Sequence, residues 1–382
     1  MADSWQPVLE RWVKAGIVDP ATAERIRQFE SSHGEAGKLR WQVLIAVGFG
    51  CLMLGAGVLL FVSAHWDELS PASRFCLVLT MLAIFHVAAA LTAERFPALA
   101  TALHGVGTAA LGGAIFLSAQ IFNLQEHWPG GILLWALGAW IGFALLRDWV
   151  QASFAALLTP AWLASEWIEA TRRFWDFESS LLAKGLLLLA ITYLSGLYGH
   201  NQGKIRRALA WIGGIALIPS AAMAMPRACY ICAKVGWHLW ILAYGVAFLG
   251  PTLLAVRLRH RLAWMNGVAA LWVLLLLLMP AGMTNNESTP RYAIRVLGPY
   301  LWCGIACLGL IAWGVSEARS ERINLGILGF GLTVLTFYFS QVMDKFSRSA
   351  SLIGLGLVFL VLAWALERTR RKLVMRVRGA PA

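Results

Sequence analysis

The chain has 382 residues, 59% of them apolar and only 14% charged, whereas soluble domains carry about 25% charged residues. That excludes an ordinary soluble fold. The net charge of +12 would suit nucleic acid, but the basic residues fall on alternate loops rather than in one patch, so no nucleic-acid partner is expected.

Residues 1–42 read as a small cytoplasmic helical hairpin. Trp5 to Ala15 suit one short helix, with Gly16 as its C-terminal cap. Asp19 then caps a second, with Pro20 in its first turn and Ile26 and Phe29 on one face. This module could lie on the membrane surface, or it could dock a protein partner through Trp5 and Trp12. Residues 1–42 are polar and too long for a charged leading region, so no cleavable leader is expected.

From 43 to 367 the pattern is an all-α, polytopic bundle of about twelve membrane helices. Apolar stretches that could cross a hydrocarbon core of about 30 Å fall at 43–63, 72–92, 98–122, 130–147, 150–168 and 181–199. The second half adds 208–225, 237–256, 262–282, 298–316, 323–342 and 350–367. The span 150–168 carries a Thr159-Pro160 kink signal and ends at Glu166. With the N-terminus inside, the cytoplasmic segments hold 22 of the 32 Lys and Arg, which is the positive-inside pattern and puts both termini in the cytoplasm. The basic tail, residues 368–382, anchors near anionic lipid. Trp66, Trp128, Trp149, Trp167, Trp175 and Trp237 fall at span ends, as an interfacial belt does.

Several short motifs resemble one family. They are Trp12…Gly16-Ile17…Ala23…Ile26, then His65-Trp66-Asp67-Glu68-Leu69-Ser70 after a glycine-spaced span. Ala119-Gln120-Ile121-Phe122 and Leu134-Trp135-Ala136 follow. Over roughly the first 150 residues the chain resembles the bacterial predicted membrane proteins grouped as domain of unknown function 2157 (DUF2157). The resemblance implies a polytopic bacterial inner-membrane protein and assigns no role to any residue. A separate echo links Ser63, Asp67 and Ser70 with Ser340, Asp344 and Ser347 at equal spacing, which chance among turn residues or an old duplication would both give.

Chemistry is expected at few places. An outer-face cluster of His65, Asp67, Glu68, Gln120, Asn123, Glu126, His127 and Asp344, with Glu166 and Glu169 beside it, could bind a cation, metal or basic substrate if the ends converge. Solvated or helix-capping acids explain the same residues. His86 and His104 each sit six residues from the cytoplasmic end of adjacent antiparallel spans, hence at one depth. Such a pair could relay a proton or hold haem or a metal, or simply tighten a glycine-rich interface; no cofactor is expected outright. Cys229 and Cys232 could form an outer-loop disulfide, while Cys303 and Cys307 share one helical face as small core residues. Pro160, Pro219 and Pro280 mark helices that could be broken. Phosphate loops and hydrolase or metalloprotease motifs are absent, so an enzyme is not favoured. Three readings stay open: a permease-like protein for a small molecule or lipid component, a non-catalytic assembly or regulatory subunit, and a membrane redox protein.

Overall fold

The computed structural model describes residues 6–34, 49, 53, 69–122, 127–171, 181–198, 203–225, 237–276, 290–342, 354, 356–357, 360, 364 and 368. Every regular element among them is helical. The chain divides into two compact units, Met1–Arg74 and Phe75–Ala382.

In the first unit, α1 (Gln6–Lys14) touches α2 (Pro20–Gly34), with Leu9 and Ala23 buried. Gly16 turns the chain at φ +68, a conformation open to glycine, and its N–H donates to the Val13 carbonyl at 3.0 Å. Asp19 caps α2 by accepting from the Thr22 N–H at 2.9 Å. Hydrogen bonds from Thr22, side chain first and backbone second, hold the Asp19 carboxyl below its ordinary range. Trp12, Ile17 and Phe29 stay exposed.

The helices that follow are α3 (Pro71–Thr92), α4 (Pro97–Ile121), α5 (Pro129–Leu146), α6 (Trp149–Thr171), α7 (Leu181–Ser195) and α8 (Lys204–Ala224). Then α9 (Trp237–Tyr244) runs through a π turn at Gly245–Leu249 into α10 (Gly250–Arg259). The last are α11 (Trp264–Leu275), α12 (Pro290–Ser316) and α13 (Ser320–Phe337). Seven stretches among the described residues are long and apolar enough to cross a membrane. They are α3, α4, α5, α8, the run Trp237–Leu275, Leu297–Ser316 and Ser320–Gln341. The expected spans 43–63 and 350–367 lie, apart from isolated positions, outside the described residues.

The run Trp237–Leu275 has 39 residues and would measure about 58 Å as one rod, roughly twice a bilayer core. It is broken instead. His260 takes φ 51 and ψ −120, and α10 and α11 touch each other while both pack on α7. α7 is apolar but only 15 residues long, shorter than the expected 181–199.

α6 is a continuous 23-residue helix with Pro160 inside it, and it is not among the seven. Its Gln, Ser, Thr and Glu residues lower its hydropathy. Burial explains why that is tolerated: Gln151, Ala152, Ala155, Ala156, Leu158, Ala164 and Ser165 face protein rather than lipid. α7 is more buried still, with Ala183, Leu187, Leu188, Ala190 and Leu194 packed on Leu217 and Ala224 of α8 and Val273 of α11. Within this unit the turns gather at two ends. Among the described residues one end, the acidic one, holds His127, Glu166 and Glu169; the other, the basic one, holds Arg206, Arg257, Arg259 and Arg322 together with Glu317.

Candidate functional site

A cavity of about 890 Å³ opens between α6, α7, α8 and the α9–α10 leg. That is within the size range of small-molecule sites, about 300–1,000 Å³. Its wall follows α6 from Ala152 to Ala170, a rise of about 27 Å, and α9–α10 from Leu239 to Leu258. Leu, Ala, Val, Ile, Phe, Pro and Gly make up most of the lining. The polar side chains on it are Thr159, Tyr193, Glu166, Arg257 and the indoles of Trp140 and Trp167.

Two of the helices in its wall are irregular. Pro160 in α6 has no N–H, so the carbonyl of Ala156, four residues earlier, loses its helical partner. The Tyr193 hydroxyl of α7 donates to that carbonyl at 2.9 Å and satisfies it. Thr159 donates to the Ala155 carbonyl at 2.7 Å and accepts from the Trp140 indole at 2.9 Å. Across the cavity the π turn stands just ahead of Gly250-Pro251, and Val246, Ala247, Gly250 and Pro251 all face the space. π turns and proline breaks recur where helices surround a ligand.

The two ends of the cavity differ in charge. At the acidic end Glu166 receives two bonds: His127 Nε2 lies 2.7 Å from its Oε2, and the Trp162 indole donates to its Oε1 at 2.9 Å. The Trp128 indole donates to Glu169 at 2.8 Å, and Trp167 packs edge-on against Trp240. At the basic end Arg257 reaches the lining from the last turns of α10.

Behind the basic end lies a buried ionic clasp that no sequence motif signals. Arg259 and Arg322 are each 1% exposed, and they pair with opposite oxygens of Glu317, Arg322 at 2.7 Å. The Trp313 indole also donates to Glu317, at 2.6 Å, and both guanidinium groups stack on its ring. The arginines also cap α7: Arg259 donates to the Ser195 carbonyl at 2.7 Å and Arg322 to that of Leu197 at 2.9 Å. Arg206 donates to the carbonyls of Gly196 and Leu258, both at 2.9 Å. Burial works to raise the Glu317 carboxyl, but the Arg259 hydrogen bond, the Arg322 charge and the Trp313 bond outweigh it and hold it below its ordinary value.

His86 and His104 face each other with Nδ1 atoms 3.0 Å apart, one donating and the other accepting. That bond uses the proton of one ring and the lone pair of the other, so neither Nδ1 is free to ligate an ion between them. Gly107 lets His86 approach: a Cβ there would lie 2.7 Å from its Nε2. The His104 carbonyl accepts from Thr108 at 3.0 Å and from Gln151 at 3.2 Å. Thr108 Oγ1 also lies 2.9 Å from Gln151 Oε1, so its one proton is shared between the two acceptors. Gln151 is fully buried and fills a place that sequence reasoning missed; a glutamine in a low-hydropathy helix was its only signal.

Of the outer-face candidates, Gln120 and His127 are exposed. His65, Asp67, Glu68, Asn123, Glu126 and Asp344 lie outside the described residues, as do Cys229, Cys232 and Pro280. Among the described residues no three His, Cys, Asp or Glu side chains converge on a metal position. Cys303 and Cys307 are free thiols on α12. Trp128, Trp149 and Trp237 are exposed; Trp66 and Trp175 lie outside the described residues.

Helices α3 to α5 are apolar, and α4 and α5 are glycine-rich. Residues 10–151 match the family model described as Predicted membrane protein (DUF2157). The DUF2157 match takes in most of α1, then α2 to α5, and stops at the start of α6. It therefore includes the His86–His104 pair and, of the cavity lining, Trp140 and Phe143, while the rest of the wall lies beyond it. The curated proteins and the solved structures give no match to the chain.

Proposed function

We propose that this membrane protein is permease-like and takes a lipid component into the cavity between α6, α7, α8 and α9–α10. The observation that carries this reading is the lining: apolar along about 27 Å, close to a hydrocarbon core, with charge only at its two ends. A polar metabolite would find few partners there, whereas an acyl chain needs none. In this reading about twelve helices cross a bacterial inner membrane, the basic end faces the cytoplasm, and both termini lie on that side.

The reading is tested by reconstituting the protein into vesicles that carry a head-labelled fluorescent lipid. Folded protein should speed its movement between leaflets relative to empty vesicles. No acceleration, with the protein shown to be folded, would count against it. A second reading, an assembly or regulatory subunit, draws on the apolar Trp12, Ile17 and Phe29, 44%, 72% and 60% exposed in the first unit. It predicts a defined protein that co-purifies with the parent and is lost with Trp12→Ala and Phe29→Ala.

A further inference from the structure

Among the described residues the cavity has a cation without an ion-pair partner at one end and a hydrogen-bonded acid at the other, which sets a direction along it. Arg206 and Arg259, neighbours at the basic end, are committed: Arg206 to two backbone carbonyls and the Tyr198 ring, Arg259 to the Ser195 carbonyl and Glu317. Arg257 has no hydrogen bond or ion pair among the described residues, is exposed, and lines the cavity. A guanidinium offers five donors in a fork that matches a phosphate. At the opposite end Glu166 is a poor neighbour for an anion.

From this charge asymmetry we infer that the cavity takes an anionic membrane phospholipid, its phosphate on Arg257 and one of its two acyl chains running toward Glu166. The inference rests on the lipid reading above and adds the headgroup and the orientation. The shape agrees: about 890 Å³ over about 27 Å gives a mean cross-section of about 33 Å², a slot for an extended chain rather than a compact ligand. The chain gains by leaving water or competing lipid for an apolar wall, while the headgroup decides which lipid enters.

The test is competition between phosphatidylglycerol and phosphatidylcholine of identical acyl chains, read by native mass spectrometry of the full-length protein. Wild type should retain phosphatidylglycerol in preference by about fivefold, the equivalent of about 1 kcal/mol for one basic group at the interface. Arg257→Gln should bring the ratio to about one by lowering phosphatidylglycerol retention to that of phosphatidylcholine, and Arg257→Lys should restore part of the preference. Arg261→Gln, which changes charge at the same end but not on the cavity wall, should leave the ratio at its wild-type value. Equal retention of the two lipids by wild type, or an unchanged preference in Arg257→Gln, overturns the headgroup assignment and leaves the lipid cavity standing. Retention of neither lipid by folded wild type overturns the lipid reading itself. Should Arg257→Gln not fold, wild type decides: its preference should fall as salt rises, and a salt-independent preference overturns the role of Arg257.

Discussion

Tyr193 and Pro160 meet at one carbonyl: the Tyr193 hydroxyl donates to Ala156 at 2.9 Å, in the position the missing Pro160 N–H would have filled. The bond ties α7 to α6 at the cavity wall. Removing the hydroxyl leaves a buried carbonyl without a partner, which costs about 1–3 kcal/mol. Tyr193→Phe should therefore lower thermal stability by that amount. In a Pro160→Ala background, where the helix recovers its own N–H, the same change should cost close to nothing. A double-mutant cycle of unfolding free energies reads the difference; equal costs in both backgrounds would refute the coupling.

Glu317 is the only acid the described residues place between Arg259 and Arg322, and taking it away leaves two buried cations facing each other. Glu317→Gln should cost about 3–5 kcal/mol. Its pH dependence has a definite sign. Since the folded carboxyl titrates below its ordinary value of 4.5, its contribution is complete above that value and is lost as pH falls through the lower folded one. The melting temperature of the parent should be level through neutral pH and drop below about pH 4.5, whereas Glu317→Gln should lack that acid-side loss. A parallel acid-side fall in both proteins would assign it to other groups.

Helix positions were legible because crossing a bilayer demands a long apolar run, and the observed limits of α3, α4 and α5 differ from the expected ones by a residue or so. The adjacency of His86 and His104 follows from counting along two antiparallel helices. The clasp was not legible. Arg259, Glu317 and Arg322 are 58 and 63 residues apart or in different turns, and a charge count treats each as an ordinary loop residue. α6 was hard for the opposite reason: a helix buried in protein is free to be less apolar than one in lipid, so hydropathy undervalues it. The cavity was invisible, because alanines and leucines carry no motif. What sets it apart is where Pro160 and the π turn bend its walls.

Close helix contacts give a further test at two glycines of the bundle. A Cβ on Gly213 of α8 would meet the Ala190 carbonyl and lie 2.5 Å from the Leu194 nitrogen, backbone atoms that have no rotamer to yield. Gly213→Ala should cost at least about 1–3 kcal/mol in thermal unfolding. Gly113 of α4 has nothing within 4 Å of the same position, so Gly113→Ala should be neutral or gain about 0.5–1 kcal/mol from the lower entropy of alanine in a helix. Equal effects at the two sites would contradict the packing of α8 on α7.

Occupation of the cavity by a lipid chain is tested most directly by native mass spectrometry of the parent and Ala243→Trp, both extracted gently from their own membrane. Ala243 lines the cavity from the α9 side and is half-buried, so an indole there fills space without entering a packed core. The prediction is a retained lipid mass on the parent that disappears from Ala243→Trp while the melting temperature stays within a few degrees. The same lipid retained in equal amount by both proteins, or none on the folded parent, would contradict it.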